Sequence, residues 1–220
     1  MTDIFREVDE DVRRDRFEQL WKKYQNLVSG VVLLLVVGVA SWQVYGYFRQ
    51  KQAERASAKF EAAIEMSEAG KGLQAEALLA SVMKKGPDGY AQLARFREAA
   101  ETGQRDAAAG VALYDQLAAD TSLGATLQSL AQLRAAMLLA DSASAPDLAK
   151  RLEPLAAETS PWRNLAREWL GLSELKAGDY DAAGRQFDAI IVDPEITASL
   201  RRRVEMYLGL IKAGPLPPKS

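Results

Sequence analysis

With 220 residues and a formal net charge of −2, the chain is long enough for one anchored domain and has no overall charge that would attract nucleic acid. It contains no cysteine and no histidine, which excludes disulfides, thiolate nucleophiles and Cys-based zinc sites and removes the commonest general base. No nucleophile–base pair, glycine-rich phosphate loop or metal-ligand spacing is visible. The sequence therefore predicts a protein that is not an enzyme, with no catalytic residue, cofactor, metal site or small-molecule substrate.

The N-terminal segment, residues 1–26, has apolar residues spaced three to five apart with charges between them. This pattern is typical of an amphipathic helix. Two interpretations stay open: a helix that lies on the inner leaflet or docks a cytoplasmic partner, and a solvated helix without a partner. The apolar positions are Ile4, Phe5, Val8, Val12, Phe17, Leu20, Trp21 and Tyr24.

Residues 27–48 read LVSGVVLLLVVGVASWQVYGYF and carry no charge. A helix of this length spans roughly 33 Å, enough for a hydrocarbon core of about 30 Å. Aromatic residues stand at both ends, where rings settle among lipid headgroups. The segment is therefore predicted to be a transmembrane helix that contacts the bilayer. Its predicted membrane-interface aromatics are Trp21, Tyr24, Trp42, Tyr45 and Tyr47.

A cleaved signal peptide is the competing interpretation, because Gly38-Val39-Ala40 resembles a cleavage site. However, the apolar run exceeds the usual length of about 7–15 residues and follows a charged segment, which favours an uncleaved anchor. Residues 12–26 hold five basic side chains and residues 49–63 hold four. The positive-inside rule thus leans toward a cytoplasmic N-terminus, with the larger domain across the membrane.

Residues 49–213 are predicted to form an all-α domain, because glycines and prolines separate segments of helical periodicity and no segment alternates with period two. Residues 214–220 are predicted to be a flexible tail. The predicted breaks are Gly70–Gly72, Gly86-Pro87, Gly103, Asp120–Ser122, Ser142–Pro146, Ser160-Pro161, Gly178-Asp179 and Asp193-Pro194.

The best-defined unit of this domain is LGLSELKAGDYDAAGRQFDAIIVDP, from Leu170 to Pro194. A Leu-Gly pair permits close helix approach, a glycine supplies the turn, a small residue stands at the crossing, and a proline stops the second helix. Comparable breaks recur at intervals of about 34, 40 and 33 residues. The residues predicted to pack this unit are Leu170, Gly171, Gly178, Tyr180, Ala183, Phe187 and Pro194.

This unit resembles the tetratricopeptide repeat, whose signature is Leu-Gly, then Ala, then Phe four residues later, then Pro. Arg167 and Glu174 depart from it, since aromatic residues are usual at both positions. Three weaker copies accompany it: Gly70, Ala75, Leu79, Val82 and Pro87; Gly110, Tyr114, Leu117 and Asp120; and Ala149, Ala156 and Pro161, with Glu153 in the aromatic position.

The resemblance implies an α-solenoid of about four to five helical hairpins that binds other proteins. Its groove would be lined by the first helix of each hairpin. In the best repeat, this register assigns Leu165, Glu168, Leu172 and Lys176 to the partner groove.

The whole layout, a charged start, an anchor and degenerate repeats, resembles the bacterial family of ancillary SecYEG translocon subunits. That resemblance implies a single-pass inner-membrane protein with a periplasmic repeat domain, whose partners are translocon subunits and chaperones that handle exported proteins. The alternative is a scaffold or assembly factor for another inner-membrane complex, such as a respiratory complex. Helical repeats serve both roles, so the fold does not choose between them.

Overall fold

In a computed structural model, the chain divides into two compact units, Met1–Arg55 and Ala56–Ser220. The structure describes the backbone of residues 3–214 and the side chains of residues 21–27 and 29–214. This described backbone is helical and contains no strand, which confirms the predicted all-α class.

Some predictions fall where the structure gives no description. The predicted tail lies outside the described residues except for Gly214, and the side chains of the predicted amphipathic segment lie outside them up to residue 20. The domain boundaries predicted at residues 26 and 48 both fall within one helix and stay predictions.

The N-terminal unit consists of α1, Asp3–Glu68, which continues past the unit boundary. Its portion from Trp21 to Glu68 contains a window of mean hydropathy 2.2, none of which is buried. Among the described residues, this is the one helix long and apolar enough to cross a membrane.

The C-terminal unit begins with the last part of α1 and continues through eight further α-helices within the described residues. They are α2 (Gly72–Lys85), α3 (Asp88–Arg105), α4 (Ala107–Ala119), α5 (Gly124–Leu139), α6 (Ala145–Leu152), α7 (Arg163–Ala177), α8 (Tyr180–Ile191) and α9 (Ala198–Ala213). One-turn 3-10 helices at Thr121–Leu123 and Glu153–Leu155 precede α5 and follow α6. Each helix from α2 onward packs against the next one in the chain.

The even-numbered helices, here called the second helices, bury three residues in one register; for α6 the third of them, Leu155, lies in the 3-10 helix that follows it. Each triplet has the spacing i, i+4, i+7, which places all three on one helix face. The buried triplets are Ala75/Leu79/Val82, Gly110/Tyr114/Leu117, Leu148/Leu152/Leu155 and Ala183/Phe187/Ile190.

The first two triplets, together with Ala183 and Phe187 of the last, use residues that the sequence predicted for packing. The third corrects the prediction by one position, because Leu148, Leu152 and Leu155 are buried where Ala149, Glu153 and Ala156 were expected. Corresponding residues of the last two triplets, such as Leu152 and Phe187, are therefore 35 positions apart, whereas the predicted alignment of Glu153 with Phe187 made the interval 34.

The odd-numbered helices are here called the first helices, and polar contacts join α5 to α7 across neighbouring repeats. The indole Nε1 of Trp162, at the start of α7, donates to the Thr126 carbonyl of α5 at 3.2 Å. Lys176, at the other end of α7, donates to the Ala140 carbonyl just after α5 at 3.3 Å. In each of these two pairs the donor and acceptor residues are 36 positions apart. The two hydrogen bonds therefore align one repeat with the next.

Two glycines show why helices end or continue. Gly178 has φ +82°, a left-handed conformation that glycine adopts without steric cost, and it ends α7. The N–H groups of Gly178 and Asp179 donate to the carbonyls of Leu175 and Glu174 at 3.1 and 2.9 Å. Gly103 was predicted as a break, but it lies inside α3. A Cβ there would stand 2.6 Å from Leu138 Cδ1, so its role is close helix packing.

Candidate functional site

The four residues predicted to line a partner groove all lie on α7, but their side chains have different surroundings. Leu165 is half-buried against the core cluster that contains Leu152 and Leu170. Leu172 is half-buried against the next cluster, which contains Phe187. These two side chains therefore help to pack α7 against α6 and α8. Their role in a partner groove stays a prediction.

Glu168 is held by an ion pair between repeats. Arg203 of α9 donates to both carboxylate oxygens of Glu168, from Nε at 2.7 Å and from Nη2 at 2.8 Å. The Glu168 side chain is 5% exposed and that of Arg203 43% exposed. The bond from Arg203 to Glu168 is also the main cause that raises the pKa of Arg203. This carboxylate thus fixes α9 on α7.

Lys176 is exposed at the end of α7. Its Nζ donates to the carbonyls of Ala140 and Asp141 at 3.3 and 2.8 Å. A cation at the C-terminal end of α5 is favoured by the helix dipole. All four predicted groove residues therefore lie on α7, and their role in lining a partner groove stays a prediction.

The residues predicted to pack the best repeat lie mainly in its core. Leu170, Gly171, Ala183 and Phe187 are buried, and a Cβ on Gly171 would come within 2.6 Å of the Phe187 ring. Only glycine leaves room for this ring. Tyr180 is half-buried at the start of α8. Pro194 is exposed and lies three residues beyond the end of α8 at Ile191.

Sequence reasoning missed the ion-pair cluster that closes the α7–α8 hairpin. Arg163 donates to both oxygens of the buried Asp193, at 2.6 and 2.8 Å, and to Glu195 at 2.6 Å. The bond from Arg163, followed by the bond from the Glu195 backbone N–H, lowers the pKa of Asp193 to about 2. The Asp-Pro pair after a helix was the available signal, but it gave no hint of an arginine thirty residues earlier.

An open cleft of about 430 Å³ lies between α4 and α6, with α5 at one side. Its apolar surface comes from Ala118, Ala119 and Pro154. Arg151 and Asp115 join the two helices by hydrogen bonds of 2.8 and 3.2 Å. Alanine and proline surfaces beside fixed charges suit the side chains of a peptide segment. The lining residues are Asp115, Ala118, Ala119, Gln132, Lys150, Arg151 and Pro154.

The predicted membrane-interface aromatics all have exposed side chains on α1, with Trp42 the most exposed at 78%. Three of them carry a cation over the ring. Lys23 lies 5.5 Å from the Tyr24 centroid, Arg49 5.8 Å from Tyr45, and Lys51 5.9 Å from Tyr47. Such pairs place amphipathic rings and charges together at both ends of the apolar run.

Among the described residues, no group of three or more His, Cys, Asp or Glu side chains is arranged to hold a metal ion. The described surface therefore offers packed helix faces, ion pairs between helices and the α4–α6 cleft. These features suit contact with another polypeptide.

Comparison with known proteins agrees with this geometry. A family model described as a tetratricopeptide repeat-like domain matches residues 18–209. Neither the curated proteins nor the solved structures contain a match to the chain. Because the matched span includes nearly all of the described helices, and the second helices repeat one buried register, the chain belongs to the tetratricopeptide repeat-like domain family.

Proposed function

We propose that this protein is a membrane-anchored adaptor that binds other proteins through its helical array. Helical repeats of this family form protein-interaction scaffolds, because stacked hairpins present an extended surface on a rigid core. The observation that carries the proposal is the presence, in one chain, of such an array and of a helix with an exposed apolar run.

The anchor is supported by the cost of leaving that run in water. Leu34 and Trp42 are more than 70% exposed, and the other large apolar side chains described between them are also exposed. Each fully buried large apolar side chain contributes about 1.5–3 kcal/mol of transfer free energy. Lipid would cover all of them together. The basic residues over Tyr24, Tyr45 and Tyr47 would then lie among the headgroups.

We further propose that the anchor lies in the bacterial inner membrane with the array in the periplasm, beside the Sec translocon and the chaperones that receive exported proteins. The excess of basic residues before the apolar run supports this orientation. The resemblance of the layout to ancillary translocon subunits supports the choice of partner. Confinement at the membrane raises the effective concentration of an emerging chain near the array, so even weak binding is productive.

The cleft between α4 and α6 is the proposed contact point for a partner segment. The hydrogen bonds of the Arg151–Asp115 pair join its two walls, which favours a preformed surface for a peptide. Lys150 stands at the rim, 2.9 Å from Asp147, and offers an exposed cation for an acidic side chain.

Site-specific photocrosslinking in living cells tests this function. With p-benzoylphenylalanine in place of Ala119, which lines the cleft, we expect adducts with translocon subunits, identified by mass spectrometry. The same probe in place of Ala125, an exposed alanine of α5 outside the cleft, is the matched control. Adducts with respiratory subunits would favour the scaffold alternative. Equal labelling from the two positions would remove the cleft from the proposal.

The anchor and its orientation have separate tests. Alkaline carbonate extraction should leave the protein in the membrane pellet, and its release into the supernatant would overturn the anchor. In intact spheroplasts, added protease should degrade the array while a cytoplasmic marker survives. Protection of the array there would reverse the orientation.

A further inference from the structure

The last helix of the array, α9, presents an apolar face that no described residue covers. Met206 and Leu210 lie one turn apart on this face and are 56% and 54% exposed. Gly209 between them has no atom within 4 Å of the position that a Cβ would take. A neighbouring face of α9, roughly 120° around the helix, is buried through Leu200 and Val204.

The internal repeats show what this face is built to contact. Each of α5, α7 and α9 buries two residues four apart against the preceding hairpin: Ala131/Ala135, Ala166/Leu170 and Leu200/Val204. Six residues after the first member of each pair stand Met137, Leu172 and Met206. Met137 packs against the cluster formed with α6, and Leu172 packs against the cluster formed with α8. Met206 thus occupies the position that the following second helix covers elsewhere.

Leu210 makes the face of α9 more apolar than its internal counterparts. Ten residues after the first member of each pair stand Asp141, Lys176 and Leu210. The two internal positions are polar, whereas α9 carries leucine there. A terminal helix that only met solvent would be expected to show the reverse, because outer faces of terminal repeats are usually polar.

The charges around this face indicate the chemistry of its partner. Arg202 and Lys212 are exposed at either end of the Met206–Leu210 pair, and neither forms an ion pair with a described residue. Apart from Arg203, which pairs with Glu168, α9 carries Arg201, Arg202 and Lys212 against one acid, Glu205, so the helix is net positive. A second copy of α9 would bring the same cations together, which disfavours a symmetric pair.

From these contacts we infer that α9 docks an amphipathic helix of a partner protein, with acidic residues flanking its apolar stripe, in the place of a second helix. The inference rests on the proposed protein-binding function and adds a surface to it that is distinct from the α4–α6 cleft. Helix pairing through apolar positions at i, i+3, i+4 and i+7 is a general mode of recognition.

The test uses the full chain in nanodiscs of uncharged phosphatidylcholine, with empty nanodiscs as background. The probes are two fluorescent helical peptides of about 20 residues. They share one leucine stripe and differ only in flanking Glu or flanking Lys. By anisotropy titration, we expect the Glu peptide to bind at least tenfold more tightly than the Lys peptide, with affinity that falls as salt rises.

Variants then locate the binding. The double substitution Met206→Asp/Leu210→Asp should weaken the Glu peptide at least tenfold. Leu93→Asp, which alters another exposed leucine on α3, is the matched control and should leave affinity unchanged. Arg202→Glu/Lys212→Glu should reverse the preference between the two peptides. Helix content by circular dichroism checks that each variant keeps its fold.

Three results would overturn the inference. One is equal affinity for the two peptides, and another is equal loss in the Met206/Leu210 and Leu93 variants. The third is evidence that another polypeptide segment covers the face. A dimer that dissociates on Met206→Asp/Leu210→Asp would identify a second copy of the chain, and tenfold tighter peptide binding after removal of residues 215–220 would identify the chain's own C-terminal residues. Crosslinks from the cleft position would survive each of these results, so failure here is separable from failure of the proposed function.

Discussion

The hairpins α5–α6 and α7–α8 reach the same packing with different residues. Helix α6 with the 3-10 helix after it buries Leu148/Leu152/Leu155, and α8 buries Ala183/Phe187/Ile190, each position shifted by 35 residues. At the crossing, α7 offers Gly171 to the large ring of Phe187. The same shift pairs Ala136 of α5 with Leu152 of α6, in one buried cluster. A larger second-helix residue is matched by a smaller first-helix residue, so the total volume at the crossing is what the two repeats share.

The largest expected loss of stability comes from truncating the buried second-helix side chain where the two helices of each hairpin cross. Phe187→Ala should lower the free energy of unfolding by about 4 kcal/mol and Leu152→Ala by about 3 kcal/mol, because both side chains are fully buried and their removal leaves cavities. Denaturant unfolding of the full chain in mild detergent, followed by circular dichroism, measures both. A cost below about 1 kcal/mol for Leu152→Ala would show that α6 does not share the role of α8.

A sharper test replaces the Gly171–Phe187 pair of the α7–α8 hairpin by the Ala–Leu pair found in the α5–α6 hairpin. Gly171→Ala should cost about 1–3 kcal/mol, since its Cβ would lie 2.6 Å from the Phe187 ring. Adding Phe187→Leu builds the Ala–Leu pair of the other hairpin and should recover part of that loss, with a coupling energy of about 1 kcal/mol or more. Gly184→Ala is the control, because no atom lies within 4 Å of its Cβ position, and it should stabilise α8 slightly. Strict additivity of the two changes would contradict the shared-volume interpretation.

Because repeats can keep the same packed volume with different residues, the sequence could predict only part of the fold. Helix class, the approximate period and the α7–α8 hairpin followed from glycine, aromatic and proline positions that have few structural alternatives. The α5–α6 hairpin was misaligned by one residue, because leucine and alanine are common throughout the chain and mark no register by themselves. Contacts such as Glu168–Arg203 and Arg163–Asp193 join residues 30 or more positions apart, and one sequence contains no signal for such pairings. For the same reason, the α4–α6 cleft and the open face of α9 emerged only once the helices were assembled.

A smaller effect is expected where one hairpin uses charge and the other does not. Glu168 of α7 corresponds to the buried Leu133 of α5 at the 35-residue shift. Glu168→Leu should cost about 1–2 kcal/mol, less than a fully buried pair, because Arg203 is 43% exposed and regains water. Glu168→Leu/Arg203→Leu should return stability to within about 1 kcal/mol of the parent. A double variant no more stable than Glu168→Leu alone would show that the pair itself is required.

The smallest effect is confined to acid and concerns the Arg163–Asp193 pair that closes the α7–α8 hairpin. The folded-state pKa of Asp193, about 2, lies below the ordinary value of 3.8, so the pair stabilises the fold fully above pH 4. That contribution is lost as the pH falls toward 2 and the carboxylate is protonated. Asp193→Asn should therefore lower the melting temperature near pH 5 and converge on the parent near pH 2. Glu158, at the corresponding place after α6, is exposed, and Glu158→Gln should follow the parent throughout. Melting curves of Asp193→Asn and parent that stay parallel from pH 5 to 2 would mean that the α7–α8 hairpin does not depend on this charge.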